Sequence, residues 1–147
     1  LCLACDFRFA TEDALVGLPE SAIGQMPGSG GSARVVRLIG MPRAKDMVML
    51  GKRVPAPEGK DFGLITDVAA DGEALTEMVT SYAAKLNALA PLSMRSLKRV
   101  LNSALDSPLS VALDVEGHSY EKLRWTEDYI EGINAFSERR KPDYKGK

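Results

Sequence analysis

The sequence predicts an α/β chain of two textures, a strand–turn–helix first part followed by an all-helical second part. Three observations carry this. Most of the glycines and prolines fall before residue 71, where short apolar runs alternate with turns. From residue 71 onward apolar residues recur at i, i+3, i+4 and i+7, the period of one-faced helices. A content of 45% apolar and 27% charged residues belongs to a chain that folds around a core and not to a disordered one. The break is expected after residue 70, giving regions 1–70 and 71–147 with no internal repeat. At 147 residues the chain can bury roughly two-thirds of its unfolded surface, so its core needs no disulfide or metal staple.

The elements follow in order. Cys5 to Ala10 predicts a short strand, Thr11-Glu12-Asp13 a turn and Leu15-Val16-Gly17 a second strand leading into Leu18-Pro19-Glu20. The cluster Pro27-Gly28-Ser29-Gly30-Gly31-Ser32 opens a helix with Ala33, Val36 and Ile39 on one stripe and Gly40 as its stop. Pro42 begins another helix that runs to Leu50 before Gly51, since proline suits a first helical turn. A short helix around 57–62 ends at Gly63, and Leu64 to Val68 predicts the last strand.

In the second part Asp71 is placed to cap a helix whose face carries Leu75, Met78, Val79, Tyr82, Leu86 and Leu89. Pro91 starts the next, with Leu97, Val100, Leu101 and Leu105 inward. Ser107-Pro108 predicts a cap and first turn for a helix reaching about Arg124. Thr126 caps the last helix, and Glu127 and Asp128 in its first turn complement the dipole. Ile130, Ile133 and Phe136 form its stripe, and Glu138-Arg139-Arg140-Lys141 a solvated charged end. These stripes exceed what residues 1–70 can cover, so burial against further copies of the chain is expected.

Composition excludes several classes. Nineteen basic and twenty acidic side chains leave a net charge of −1, without the basic footprint that nucleic acid or an anionic membrane requires. Apolar runs of a few residues fall short of the ~20 needed for a membrane span. The two cysteines, Cys2 and Cys5, sit in an apolar run and are expected to be reduced, buried small hydrophobes in a cytoplasmic setting. With His118 the single histidine, a zinc site has too few ligands. The chain opens on Leu1 inside an apolar segment, without the basic region of a signal peptide, and reads like the middle of a larger protein. Trp125, Tyr120 and Tyr129 are expected in core or subunit contact, and Met47 and Met49 in core or pocket wall.

One constellation has chemical promise: Gly17-Leu18-Pro19-Glu20, then Pro27-Gly28-Ser29-Gly30-Gly31. Pro19 fixes the backbone before Glu20, placing a carboxylate at a defined point. The glycines expose N–H groups at a helix start, where the dipole favours an anion or the lone pairs of a water. Such a carboxylate facing such amides can hold and deprotonate a water or shuttle a proton. The same residues also suit a plain helix cap, with Glu20 paired to an arginine.

The run Ala4-Cys5-Asp6-Phe7-Arg8-Phe9-Ala10, then Gly17-Leu18-Pro19-Glu20, Gly24 and Pro27-Gly28-Ser29-Gly30-Gly31-Ser32-Ala33-Arg34, resembles the enoyl-CoA hydratase/isomerase (crotonase) family. The resemblance continues through Gly51, Gly63-Leu64-Ile65 and Glu131-Gly132-Ile133-Asn134-Ala135-Phe136. It implies a spiral of ββα turns, here in part over 1–70, and a helical oligomerisation region over 71–147 that builds trimers or hexamers. It implies an acyl-CoA thioester substrate, with coenzyme A part of the substrate and no separate cofactor, metal, nucleic acid or membrane partner. Family hydratases grip a water between two glutamates. Glu20 matches the second and Gly28 the position whose N–H also contacts the water. Leu18 and Pro19 belong to the substrate-side motif, and Phe136 and Arg139 match positions lining the CoA site. The family's first glutamate would lie just before Leu1, and both oxyanion-hole amides upstream, so the likeness is to the C-terminal portion of such an enzyme. The implied activity is hydration of a 2-enoyl-CoA. The alternatives are 3-enoyl/2-enoyl-CoA isomerisation, with the Glu20-type carboxylate as lone shuttle, or a truncated non-catalytic paralogue.

Overall fold

The structure, a computed structural model, describes residues 1–147. The chain forms two compact units, Leu1–Ser81 and Tyr82–Lys147. That division falls inside a helix and not at the change of texture after residue 70.

In the first unit a 3-10 turn, Cys2–Ala4, precedes strands β1 (Phe9–Thr11) and β2 (Leu15–Val16). A 3-10 helix, Pro19–Ile23, leads to helices α1 (Gly31–Ile39) and α2 (Met41–Met49). Strand β3 (Val54–Pro55), helix α3 (Ala56–Asp61), strand β4 (Asp67–Ala69) and the start of helix α4 (Gly72–Asn87) complete it. β1 pairs parallel with β4, Phe9 opposite Asp67 and Thr11 opposite Ala69, while β2 pairs antiparallel with β3, Leu15 opposite Pro55. Two short ladders cannot hold a sheet alone, and Arg8 adds a clamp. Its N–H donates to Thr66 Oγ1 (2.9 Å), its guanidinium to the Leu64 and Cys5 carbonyls (2.6 and 2.7 Å), and its carbonyl accepts from the Thr66 N–H (2.6 Å). Val35, Ile39, Ala44, Met47, Val54 and Leu64 form the core, with Leu18, Val16 and Phe62 packed against it.

Several expectations shift here. The strand expected over 5–10 begins at Phe9, because the start of the chain coils into the 3-10 turn. Cys2 and Cys5 are free thiols and exposed, not buried. On α1 the buried pair is Val35 and Ile39, at i and i+4, and Ala33 is exposed; a start at Gly31 sets that phase. The strand expected over 64–68 starts at Asp67, since the N–H groups of Leu64 and Ile65 both donate to the Gly59 carbonyl and finish α3. β3, only two residues long, has no signal in the periodicity. Asp71 does cap α4, its Oδ1 accepting the Ala74 N–H at 2.9 Å.

The second unit holds the end of α4, α5 (Pro91–Asp106), α6 (Leu109–Arg124), α7 (Glu127–Glu138) and an extended tail. α5 packs along α6, and α6 meets α7. Ser107 closes α5 instead of opening α6: its hydroxyl donates to the Ser103 carbonyl (2.6 Å), and Pro108 is the cap residue before Leu109. Thr126 caps α7 as expected, accepting from the Tyr129 N–H at 3.1 Å. Asp128 has another task. It is buried, its two oxygens accept the N–H groups of Lys145 and Gly146 (2.7 and 2.9 Å), and its own N–H donates to the Lys147 carbonyl (3.1 Å). Arg140, expected to be solvated, forms two bonds to Glu131 (2.6 and 2.8 Å) and one to Glu138 (2.6 Å). Tyr120 and Trp125 are exposed within this chain, and His118 is a surface residue whose Nδ1 meets the Asp114 carbonyl. No helix is long and apolar enough to cross a membrane.

Candidate functional site

Glu20 sits on the second residue of the 3-10 helix that Pro19 begins and Gly24 ends in a left-handed conformation (φ 73°). The Glu20 carbonyl accepts the N–H groups of Gly24 and Gln25, so the backbone on both sides of the carboxylate is held. This short helix packs on α2. The side chain is half-buried, and Oε2 is shut off from solvent with no hydrogen-bond partner. Burying such an oxygen unpaired opposes folding, because it forfeits its water without replacement. An oxygen held this way has its hydrogen-bonding capacity unused.

The glycine cluster adjoins this turn at Leu18. Ser29 and Gly30 both take positive φ (52° and 79°), turning the chain so that α1 starts at Gly31. The Gly28 carbonyl accepts the Gly31 N–H (3.0 Å), the Ser32 hydroxyl donates to the Pro27 carbonyl (3.2 Å), and Arg34 reaches back to the Ser29 carbonyl (3.0 Å). Arg34 is therefore engaged with the cap and not with Glu20. A Cβ added to Gly31 would lie 3.0 Å from Pro27 Cβ and 3.6 Å from Leu18 Cδ2. Leu18 thus wedges the Gly17–Glu20 turn against the glycine cap. The structure places Leu18, Pro19 and Glu20 together at one turn, and Gly28 in the glycine cap that Leu18 adjoins at Gly31.

Phe136 and Arg139 belong to the second unit. Phe136, in the last turn of α7, is 88% exposed and lines an open, mainly apolar cavity of about 720 Å³ formed by α5, α6, α7 and Tyr144. Arg139 ends the helix in the left-handed region (φ 55°), its N–H donating to the Phe136 carbonyl. Beneath them Glu131 accepts from Arg140 first and from the Asp143 N–H second, and both hold its carboxyl down, to about 2. The composition of 128–147 suggested a cap and a charged end; it carried no sign of a tail folded back on Asp128 and Glu131.

A family model described as enoyl-CoA hydratase/isomerase matches residues 1–147. The chain belongs to the enoyl-CoA hydratase/isomerase family. It is 41% identical over 146 residues to YngF of Bacillus subtilis, whose name places it with the same hydratase/isomerases, covering 99% of this chain and 56% of that protein. It is 37% identical to the 2,3-dehydroadipyl-CoA hydratase of Escherichia coli, covering 100% of this chain and 57% of that one. The crystal structure of an enoyl-CoA hydratase from Bacillus anthracis superposes with a TM-score of 0.95 at 39% identity, over 99% of this chain and 56% of that one. The fold is therefore crotonase-like α/β, and the chain spans little more than half the length of the family relatives it matches.

Proposed function

We propose that this chain carries the proton-transfer part of an enoyl-CoA hydratase, which adds water across the double bond of a 2-enoyl-CoA thioester. The observation that carries the proposal is Glu20 Oε2, buried and unpartnered on a turn wedged against a glycine-capped helix start. In this reading Oε2 takes a hydrogen bond from the water, and the Gly28 N–H, which finds no acceptor in the chain, donates to the water oxygen. The water's oxygen bonds to the β-carbon of the substrate, and a proton passes through Glu20 to the α-carbon, so one H and one OH are added and nothing is lost. Leu18 and Pro19 form the substrate side of the turn, and Phe136 and Arg139 receive the coenzyme A portion. Coenzyme A arrives as part of the substrate, and no further cofactor is proposed. The family's other water-binding glutamate and its thioester-binding amides match no residue of 1–147, so the whole reaction is proposed for the complete enzyme. Backbone amides stabilising the enolate are usually the largest catalytic contribution, and Glu20 supplies proton transfer beside them.

A lone unpaired carboxylate oxygen also suits an isomerase that moves a proton between α- and γ-carbons. Incubating the intact protein with a short 2-enoyl-CoA and with its 3-enoyl isomer in ¹⁸O-labelled water separates the readings. Hydration gives a 3-hydroxyacyl thioester carrying the label. Isomerisation gives an unlabelled shifted alkene, and a non-catalytic paralogue gives neither.

We further propose that 71–147 is the oligomerisation region and that the protein assembles as a trimer or a multiple of three. The support is the run of exposed apolar residues Leu97, Leu101, Leu105, Ile130 and Ile133. A stable monomer by sedimentation at micromolar concentration would overturn this.

A further inference from the structure

The turn that bears Glu20 lies against the segment 51–53. Gly51 holds φ +63°, and a Cβ built on it would stand 3.5 Å from Pro19 Cα and from Ser21 Oγ, the two neighbours of Glu20. Two residues further on, the backbone meets the same turn again. A Cβ on Gly17 would lie 3.1 Å from Arg53 Cγ and 3.4 Å from both Arg53 Cα and the Lys52 carbonyl oxygen. Segments 17–21 and 51–53 therefore lie against each other at backbone contact distance. The second segment is anchored in turn by the Lys52 N–H, which donates to the Asp46 carbonyl at the end of α2 (3.2 Å).

A carboxylate oxygen that makes no hydrogen bond has no polar partner to aim it, so its direction depends on where its backbone stands and on the packing that selects its rotamer. We infer that Gly51 is a positioning residue for Glu20: its left-handed backbone lets 51–53 close on Pro19 and Ser21 and so fixes where the carboxylate points. The inference rests on Glu20 being the proton-transfer group. An alanine at position 51 has room for its Cβ but is strained at this φ, because a β-carbon crowds the following carbonyl there. Relaxing that strain moves the splint off Pro19. Asparagine tolerates the left-handed region far better and should leave the splint in place.

The test compares steady-state kinetics of the intact protein with Gly51→Ala, Gly51→Asn, Gly17→Ala and Glu20→Gln on a short 2-enoyl-CoA, with rates normalised to folded protein. A displacement of order 1 Å costs about 10²-fold. Gly51→Ala should therefore lose about that much kcat with KM little changed, and Gly51→Asn should recover most of it. Gly17→Ala, whose Cβ would crowd Arg53 Cγ at 3.1 Å against the same segment, should fall between them and serves if Gly51→Ala fails to fold. Unchanged kcat in the Gly51→Ala and Gly17→Ala variants beside an inactive Glu20→Gln overturns the positioning role alone. So does a Gly51→Asn rate as low as that of Gly51→Ala. Normal turnover in Glu20→Gln overturns the catalytic reading and the positioning role together.

Discussion

Residues Leu1–Ser81 place Met47, Leu64 and Val35 below 2% exposure, whereas Tyr82–Lys147 buries only Ala112, Ala135 and Asp128. The first unit closes large aliphatic side chains between α1, α2 and the two short ladders. The second lines up its large apolar residues and leaves them open: Leu101 is 64% exposed and Ile133 52%. Polar contacts differ as well. In the first unit Arg8, just before β1, reaches the segment before β4 by donating to the Leu64 carbonyl and the Thr66 hydroxyl. In the second, Asp128 and Glu131 spend their acceptors on the tail that follows α7. The carboxylate buried in the second unit, Asp128, is held by backbone N–H groups, whereas the Glu20 oxygen buried in the first has packing alone around it.

The comparison can be broken first at Met47. Met47→Ala should cost about 2–5 kcal/mol in chemical denaturation, the usual range for emptying a filled core site. Leu101→Ala should cost less than about 0.5 kcal/mol in the unassembled chain, as an exposed position does. Equal losses in the two variants at low protein concentration would erase the distinction between the units. Asp128→Ala comes next. It leaves the Lys145 and Gly146 N–H groups without their acceptor and should cost about 1–3 kcal/mol. Hydrogen exchange of those two amides should accelerate while the Met47 region stays protected.

Ile133→Glu sharpens the contrast without touching either core. It should leave the first unit's protection unchanged and shift sedimentation toward smaller species, because a charge buried in an apolar contact is strongly disfavoured. The smallest effect concerns pH. Glu131 is held at about 2 in the folded chain against an ordinary value of 4.5, so its ionised form is the one folding favours. Its hold on Arg140 and the Asp143 N–H is complete above about pH 4.5 and is lost as pH falls toward 2. The protection factor of the Asp143 amide, its exchange relative to an unstructured amide at the same pH, should fall over that window and stay level from pH 5 to 8.

Much of this was legible in the residues. Pro42, Gly40, Asp71 and Thr126 mark helix ends because proline, glycine and short polar side chains act within one turn of the backbone they sit on. The Gly17–Glu20 and Pro27–Gly31 turns could be singled out for the same reason, and family resemblance identified the carboxylate among them. Contacts between distant segments were not legible. Nothing near Asp128 in the sequence shows that the backbone at 145–147 returns to it, so a first-turn acid read as a dipole partner. Gly51 read only as a helix stop, since its contact with Pro19 spans residues that share no periodicity. Leu97, Leu101 and Leu105 carry a clean helical stripe, yet periodicity gives a face and not its partner, and within this chain those residues stand open.

Glu20→Gln tests the central claim most directly, through hydration kinetics on a short 2-enoyl-CoA beside a thermal melt. Glutamine keeps the shape of the side chain but cannot take a proton at working pH. We expect kcat to fall by about 10²–10⁴-fold with KM and melting temperature little changed. Near-normal turnover per folded molecule with a lowered melting temperature would contradict the account and leave Glu20 a structural residue of its turn.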